Sequence, residues 1–165
     1  MDIDEPGWPL IDDFFERLAR GRKAETVRRY VRVRHRLYDY LDVDDMTAWL
    51  EPADATLLAA EREFWREGAF WTIFGADELV RCLPGFVAAH ELPSTTGEAR
   101  MQISVTGRLL KHVRHWIPDP SMARPYGLAV RAVETARSEL DRSPGVQAAI
   151  DQINARFLQQ PGPEW

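Results

Sequence analysis

The chain has 165 residues, a formal net charge of −5, 45% hydrophobic residues and 28% charged residues. Such a composition is ordinary for a globular protein, and the length suffices for one well-buried domain. A single cysteine, Cys82, excludes an internal disulfide framework and fits a reducing compartment. No apolar run reaches the roughly 18–20 residues of a membrane span, and the acidic start lacks the basic residues of a signal peptide. We therefore expect a cytoplasmic protein without a membrane partner.

Hydrophobic periodicity predicts helices throughout the chain and no strand, so the predicted fold is all-α. The first helix is expected over about 10–20, ending at Gly21, and the second over about 24–41. A third should begin at Asp54 as its N-cap and continue to Gly68. Residues 69–92 are expected to hold shorter helical pieces interrupted by Gly75, Pro84 and Gly85.

A long helix is predicted over about 96–117, because Thr95 and Glu98 have the spacing of a capping box at its start. The three prolines within residues 117–125 predict a linker. Two closing helices are expected over about 126–142 and 144–159, the second with Ser143 as N-cap, and the tail 161–165 should fray.

Two stretches are strongly basic although the whole chain is acidic. Residues 17–36 have a net charge of +8 and residues 99–118 a net charge of +4, so the remainder sums to −17. On each predicted helix the cations lie opposite the apolar face. Such a face is commonly only solvated, but a solvated face normally mixes both signs. Arg28, Arg32 and Arg36 follow one another at i+4 steps, which is repulsive unless a polyanion or an acidic surface relieves it.

Several other residues have a structural and a functional interpretation. Arg34 lies within the apolar side of the second helix, so we expect it to pair with a carboxylate of a neighbouring helix, with a partner interface as the alternative. His112 and His115 lack a third ligand beside them, so we expect no metal. Cys82 is expected to be a small core residue. Four aromatic residues are also expected in the core, and their exposure would instead mark a protein-binding patch: Trp65, Phe70, Trp71 and Phe74.

The segment 10–42 carries a recognisable pattern. A first helix with Phe14, Phe15 and Leu18 leads to a basic turn at 21–23, a Thr-Val-Arg-Arg-Tyr sequence at 26–30 and an aromatic–leucine pair at 40–41. This pattern resembles the SAM-like N-terminal core-binding domain of the tyrosine recombinases, the phage integrases. Residues 96–117 are similar to the last helix of that domain, and residues 117–125 to the linker that follows it.

The resemblance implies a SAM-like helical bundle over 8–120, with an insertion at about 64–95 where the match is poor. It leaves a C-terminal helical pair over 121–160, expected to pack on that bundle. In the family this domain forms half of a clamp around DNA, so the resemblance implies phosphate contacts and one or two base contacts. The residues that it implicates are Arg22, Lys23, Thr26, Arg28, Arg29, Arg32, Arg36, Arg100, Arg108, Lys111 and Arg114.

A catalytic domain of that family has no counterpart here. After Pro120 the remaining 45 residues contain one tyrosine, Tyr126, and neither histidine nor lysine. We therefore predict a non-catalytic DNA-binding protein, such as a truncated integrase or an accessory or regulator of recombination, with no catalytic residue and no cofactor. Its expected partner is double-stranded DNA, with a second copy or a recombinase as further candidates. The alternative is an all-helical protein–protein interaction module whose basic groove receives an acidic partner.

Overall fold

A computed structural model describes residues 8–65 and 67–142, and every regular element within them is helical. The all-α prediction is thus confirmed for this part of the chain. The helices are α1 (Pro9–Ala19), α2 (Ala24–Val43), α3 (Pro52–Phe64), α4 (Ala69–Ile73), α5 (Ala76–Phe86), α6 (Thr96–Val113) and α7 (Ala123–Asp141), with single 3₁₀ turns at Arg114–Trp116 and Pro120–Met122.

The pair α1 and α2 follows the sequence prediction closely. Pro9 occupies the first turn of α1, where its missing N–H costs nothing. Gly21 follows that helix with a φ of 71°, a left-handed conformation that favours glycine. Phe14 and Phe15 of α1 are buried with the apolar side of α2. The apolar stripe of α2 that enters the core consists of Tyr30, Val33, Leu37, Tyr40 and Leu41.

The boundaries predicted between residues 54 and 92 are partly wrong. The N-cap of α3 is Glu51 rather than Asp54, because Pro52 supplies the preferred first residue and leaves Asp54 in the first turn. That helix ends at Phe64, not at Gly68. Pro84 and Gly85 lie inside α5 rather than interrupting it. The proline removes one backbone hydrogen bond near the helix end, a loss that burial of its neighbours outweighs.

The centre of the fold is α6, which packs against α7, α2, α1 and α5. It runs antiparallel to α2, since Arg108 lies beside Tyr30 while Glu98 reaches the later residues of α2. It also runs antiparallel to α7, because Arg100 near its start pairs with Asp141 at the end of α7. Its buried residues are Ala99, Gln102, Ile103, Val105, Thr106, Leu109, Leu110 and Val113.

Both ends of α6 differ from the prediction. Thr95 makes no side-chain capping bond, and Glu98 turns towards arginines of α2 instead of back to the helix start. The α-helix ends at Val113, and residues 114–116 tighten into the 3₁₀ turn. The proposed capping box and the extension to residue 117 are therefore wrong.

The predicted linker is shorter than residues 117–125. Pro120–Met122 forms a 3₁₀ turn with Met122 buried, and α7 begins at Ala123, three residues before Tyr126. Ala129, Val133 and Ala136 of α7 join the same apolar core as the earlier helices. The helix predicted over 144–159 and the tail 161–165 lie outside the described residues. In the described part of the chain, no helix is both long and apolar enough to cross a membrane.

Candidate nucleic-acid interface

The two basic helices are direct neighbours. At one end, the Arg108 guanidinium on α6 lies 3.4 Å from the Tyr30 hydroxyl on α2. At the other end, Arg29, Arg32 and Arg36 of α2 line a furrow of about 370 Å³ together with the first turn of α6. Arg108 of the second basic stretch therefore lies beside the helix that carries the first.

Half of the ten candidate cations have a carboxylate partner. Glu25 lies on the same side of α2 as two of them, Glu98 reaches across from α6, and Asp141 reaches across from α7. The ion pairs, with their N–O distances, are Arg28–Glu25 at 3.6 Å, Arg29–Glu25 at 3.3 Å, Arg32–Glu98 at 3.1 Å, Arg36–Glu98 at 3.3 Å and Arg100–Asp141 at 3.0 Å.

The repulsion predicted among Arg28, Arg32 and Arg36 is thus relieved by carboxylates, one of the two alternatives that the sequence left open. Glu98 immediately precedes the basic stretch at 99–118, so counting charge along the sequence missed it, and only the packing of α6 on α2 reveals its role. These pairs are mostly solvent-exposed, and exposed ion pairs each contribute only about 0.2–1 kcal/mol. A polyanion with closely spaced charges can displace such carboxylates at little cost.

A second group of cations lines the groove between α6 and α7, which has a volume of about 600 Å³. Arg108, Lys111 and Arg114 stand on the α6 side, and Arg137 stands on the α7 side. Within the described residues, no carboxylate lies within ion-pair distance of these four cations. Glu134 is the one carboxylate among the described residues that line the groove. Because the four cations outnumber it, the net charge of the groove lining is positive.

Local packing sets the shape of this groove. A Cβ at Gly107 would lie 3.3 Å from Val133, so the glycine lets α7 approach α6 closely and brings Arg137 beside it. Tyr126 donates a hydrogen bond to the Leu110 carbonyl at 3.2 Å, and the Arg114 guanidinium stacks over its ring at 5.4 Å. Arg137 is a residue that the sequence analysis missed, because it lies outside both basic stretches and only the docking of α7 places it here.

The three remaining candidates lie at the start of α2 or in the turn before it. Arg22 and Lys23 are exposed in the turn before α2, and Thr26 is half-buried in its first turn. Since α2 and α6 are antiparallel, this end of α2 lies beside the C-terminal half of α6, where Arg108 contacts Tyr30. These residues extend the basic surface past the end of the groove.

Arg34 pairs with a carboxylate of a neighbouring helix, as predicted. Its Nε donates to Asp12 of α1 at 2.8 Å, and the Tyr38 hydroxyl donates to the same oxygen at 2.8 Å. Burial lowers the pKa of Arg34, but the hydrogen bond and charge of Asp12 outweigh this effect and raise it. Arg34 is thus committed to holding α1 on α2.

The two histidines differ in their surroundings. His112 is half-buried against Phe14 of α1, with 5.4 Å between ring centroids, and burial together with nearby Arg17 lowers its pKa. The His115 side chain is exposed. Across residues 8–65 and 67–142, no three His, Cys, Asp or Glu residues are grouped so that they could hold a metal ion.

The core prediction holds for most of the residues to which it was applied. Phe70 is fully buried, Trp71 and Phe74 pack partly buried against the core, and Cys82 is buried, which raises its thiol pKa to about 12. Trp65 contradicts the prediction, because 57% of it is exposed beside Phe64, of which 81% is exposed. Both lie where α3 ends, beyond the part of that helix that packs inward.

Comparison with models of known protein families, with curated proteins and with solved structures returns no match. The integrase resemblance therefore remains a prediction from the sequence.

Proposed function

We propose that this protein binds duplex DNA through the surface formed by α2, α6 and α7, in the manner expected of an integrase-like, SAM-like core-binding domain, and that it does not cut or join DNA by itself. The observation that carries the proposal is the groove in which Arg108, Lys111, Arg114 and Arg137 meet without an ion-paired carboxylate among the described residues. Local charge of this kind decides whether a polyanion docks, even on a chain whose net charge is −5.

The chemistry of the groove suits phosphate. Three of its four cations are arginines, whose planar guanidinium donates two parallel hydrogen bonds to phosphate oxygens. The arginines of α2 lie near the groove, because Arg108 contacts Tyr30 of that helix. They offer weaker phosphate sites, since a phosphate must first displace Glu25 or Glu98 from them. We therefore expect the strongest phosphate contacts on α6 and α7 and supporting contacts on α2.

The direct test is a fluorescence-anisotropy titration of a labelled duplex of about 20 base pairs across a salt series starting at about 50 mM. Each phosphate that the protein neutralises contributes about −0.9 to the slope of log K against log salt. The double variant Lys111→Glu with Arg114→Glu should bind roughly 100-fold more weakly at about 50 mM and show a slope shallower by about 2.

The matched control is Arg131→Glu, an exposed arginine on α7 that does not line the groove. It changes the net charge in the same direction but should leave affinity within about twofold, because its exposed side chain lies outside the groove lining and salt screens its charge. Absence of binding by the unaltered protein at about 50 mM salt would sink the proposal. Equal losses per altered charge in both variants would show that only net charge matters.

A protein-interaction module is the second candidate, and one observation favours it. The groove cations stand above an apolar floor of Tyr126, Val130 and Val133, which also fits an acidic amphipathic helix. Light scattering of the purified protein with and without duplex distinguishes the two functions. A mass that rises with protein concentration alone supports the module, whereas a mass that rises only with duplex supports DNA binding.

A further inference from the structure

An exposed tryptophan follows the basic end of α6. Trp116 closes the 3₁₀ turn Arg114–Trp116, and 63% of it is exposed. A ring of this size is usually largely buried, since its exposure forfeits a large apolar contribution to stability. Its neighbours Arg114 and His115 are exposed as well. An exposed indole beside cations is the combination with which proteins bind unstacked nucleobases.

Trp116 also forms one wall of an open cleft of about 570 Å³. Gly75, at the start of α5, adds no side chain to this cleft, and a Cβ built there would meet no atom nearer than 3.9 Å. The cleft therefore has space for a planar ring. Its other lining residues are Trp8, which precedes α1, and residues of α1, α5 and α6: Pro9, Leu10, Asp13, Ala76 and His112.

The charges around the cleft favour an uncharged occupant. Of the described residues that line it, Asp13 is the one carboxylate, and Arg17 already pairs with it at 2.7 Å. His112 is the one histidine there, and burial lowers its pKa, which disfavours its charged form. A phosphate would find no cation among these lining residues. Lys111 and Arg114, however, lie within the last turn and a half of chain before Trp116.

A quaternary ammonium group is the main competing occupant, because two tryptophans and a carboxylate attract such cations. Arg17 already pairs with Asp13 and competes for it, and the nearby groove cations, Lys111 and Arg114 among them, oppose a positive ligand. A neutral aromatic ring with an attached anion fits both the cleft beside Trp116 and the cations Lys111 and Arg114. A nucleotide within a DNA strand is such a ligand.

We propose that the cleft receives one unpaired nucleobase of a DNA strand whose phosphates lie on Lys111 and Arg114, with Trp116 as the stacking surface. The inference rests on the proposed DNA-binding function and specifies its substrate class, namely DNA with unpaired bases such as a bulge, a gap or a single-stranded end.

The test compares a fully paired duplex with the same duplex carrying one bulged 2-aminopurine, whose fluorescence falls when it stacks on an aromatic ring. The unaltered protein should bind the bulged duplex about 5- to 100-fold more tightly and quench its fluorescence. Trp116→Ala should abolish both the preference and the quenching while leaving affinity for the paired duplex within about twofold, and Trp116→Phe should restore part of each. Trp65→Ala, which removes another exposed tryptophan outside the cleft, should leave both unchanged.

The outcomes separate this inference from the function on which it rests. If neither DNA is bound at about 50 mM salt, the DNA-binding function fails. If both DNAs bind equally and the bulged base is not quenched, DNA binding stands and the cleft proposal is overturned. A preference that survives in Trp116→Ala also overturns the assignment of this cleft to a nucleobase.

Discussion

Among the described glycines, Gly85 has the least room around it. A Cβ there would overlap the Tyr40 hydroxyl and lie 2.5 Å from Nε1 of Trp49. The Tyr40 hydroxyl cannot retreat freely, because it donates to the Cys82 carbonyl at 2.8 Å in the buried core. This glycine therefore determines how closely α5 approaches the residues at and after the end of α2.

We predict that Gly85→Ala lowers the free energy of unfolding by about 2–3 kcal/mol, because overpacking forces a backbone shift or breaks the Tyr40 hydrogen bond. Urea unfolding followed by circular dichroism measures the effect. Gly97→Ala is the matched control, since that helical position has nothing within 4 Å of a Cβ and should gain up to about 1 kcal/mol. Equal effects of the two substitutions would contradict this account of the packing.

Glu98 is the residue that most directly limits the proposed DNA contact. It binds both Arg32 and Arg36, so its removal leaves two arginines free to meet phosphate. We predict that Glu98→Gln tightens duplex binding about 3- to 10-fold at about 50 mM salt and steepens the salt slope by about 1. The same substitution at exposed Glu63 on α3 should change neither quantity by as much. Weaker binding by Glu98→Gln would mean that Glu98 positions these arginines rather than competes for them.

Among the elements, α3 is the least anchored. Leu58 is its one buried residue, and its main helix neighbour is the five-residue α4. Local opening costs little where it exposes few apolar groups to water. We predict that backbone amides of α3 exchange with solvent at least tenfold faster than those in the middle of α6, as measured by hydrogen exchange. Comparable protection in both helices would show that α3 belongs to the same cooperative unit.

The sequence predicted those elements whose signals are local. The Pro9 start, Gly21 stop and regular apolar spacing defined α1 and α2, and the same spacing predicted that Arg34 needs a partner. The remaining features depend on tertiary contacts. Glu98 has the spacing of a capping residue but finds two arginines on α2, and Arg137 joins the cationic groove only because Gly107 admits α7. Counting charges along the chain does not show which residues of different helices come into contact.

At the scale of the whole molecule, the reactivity of the buried Cys82 thiol measures how often the protein unfolds. Burial raises its pKa to about 12, so the reactive thiolate is scarce in the folded state. We predict slow reaction with a thiol reagent under native conditions, through transient unfolding, and rapid reaction in concentrated guanidinium chloride. Duplex DNA at about 100 times its Kd should slow native-state modification about 100-fold, because binding to the folded state adds about 2.7 kcal/mol of stability. An unchanged rate would mean that modification proceeds through a local opening that leaves the DNA site intact.

The antiparallel packing of α6 on α2 also has a consequence for biosynthesis. Tyr30 and Arg108 are 78 positions apart, and Arg137 follows later still. A chain emerging from the ribosome can form the α1–α2 hairpin early, but it must close a long loop before the two basic helices meet. A nascent chain should therefore have no complete cationic groove until α7 has left the exit tunnel, so the groove becomes available only after nearly the whole described fold has been synthesised.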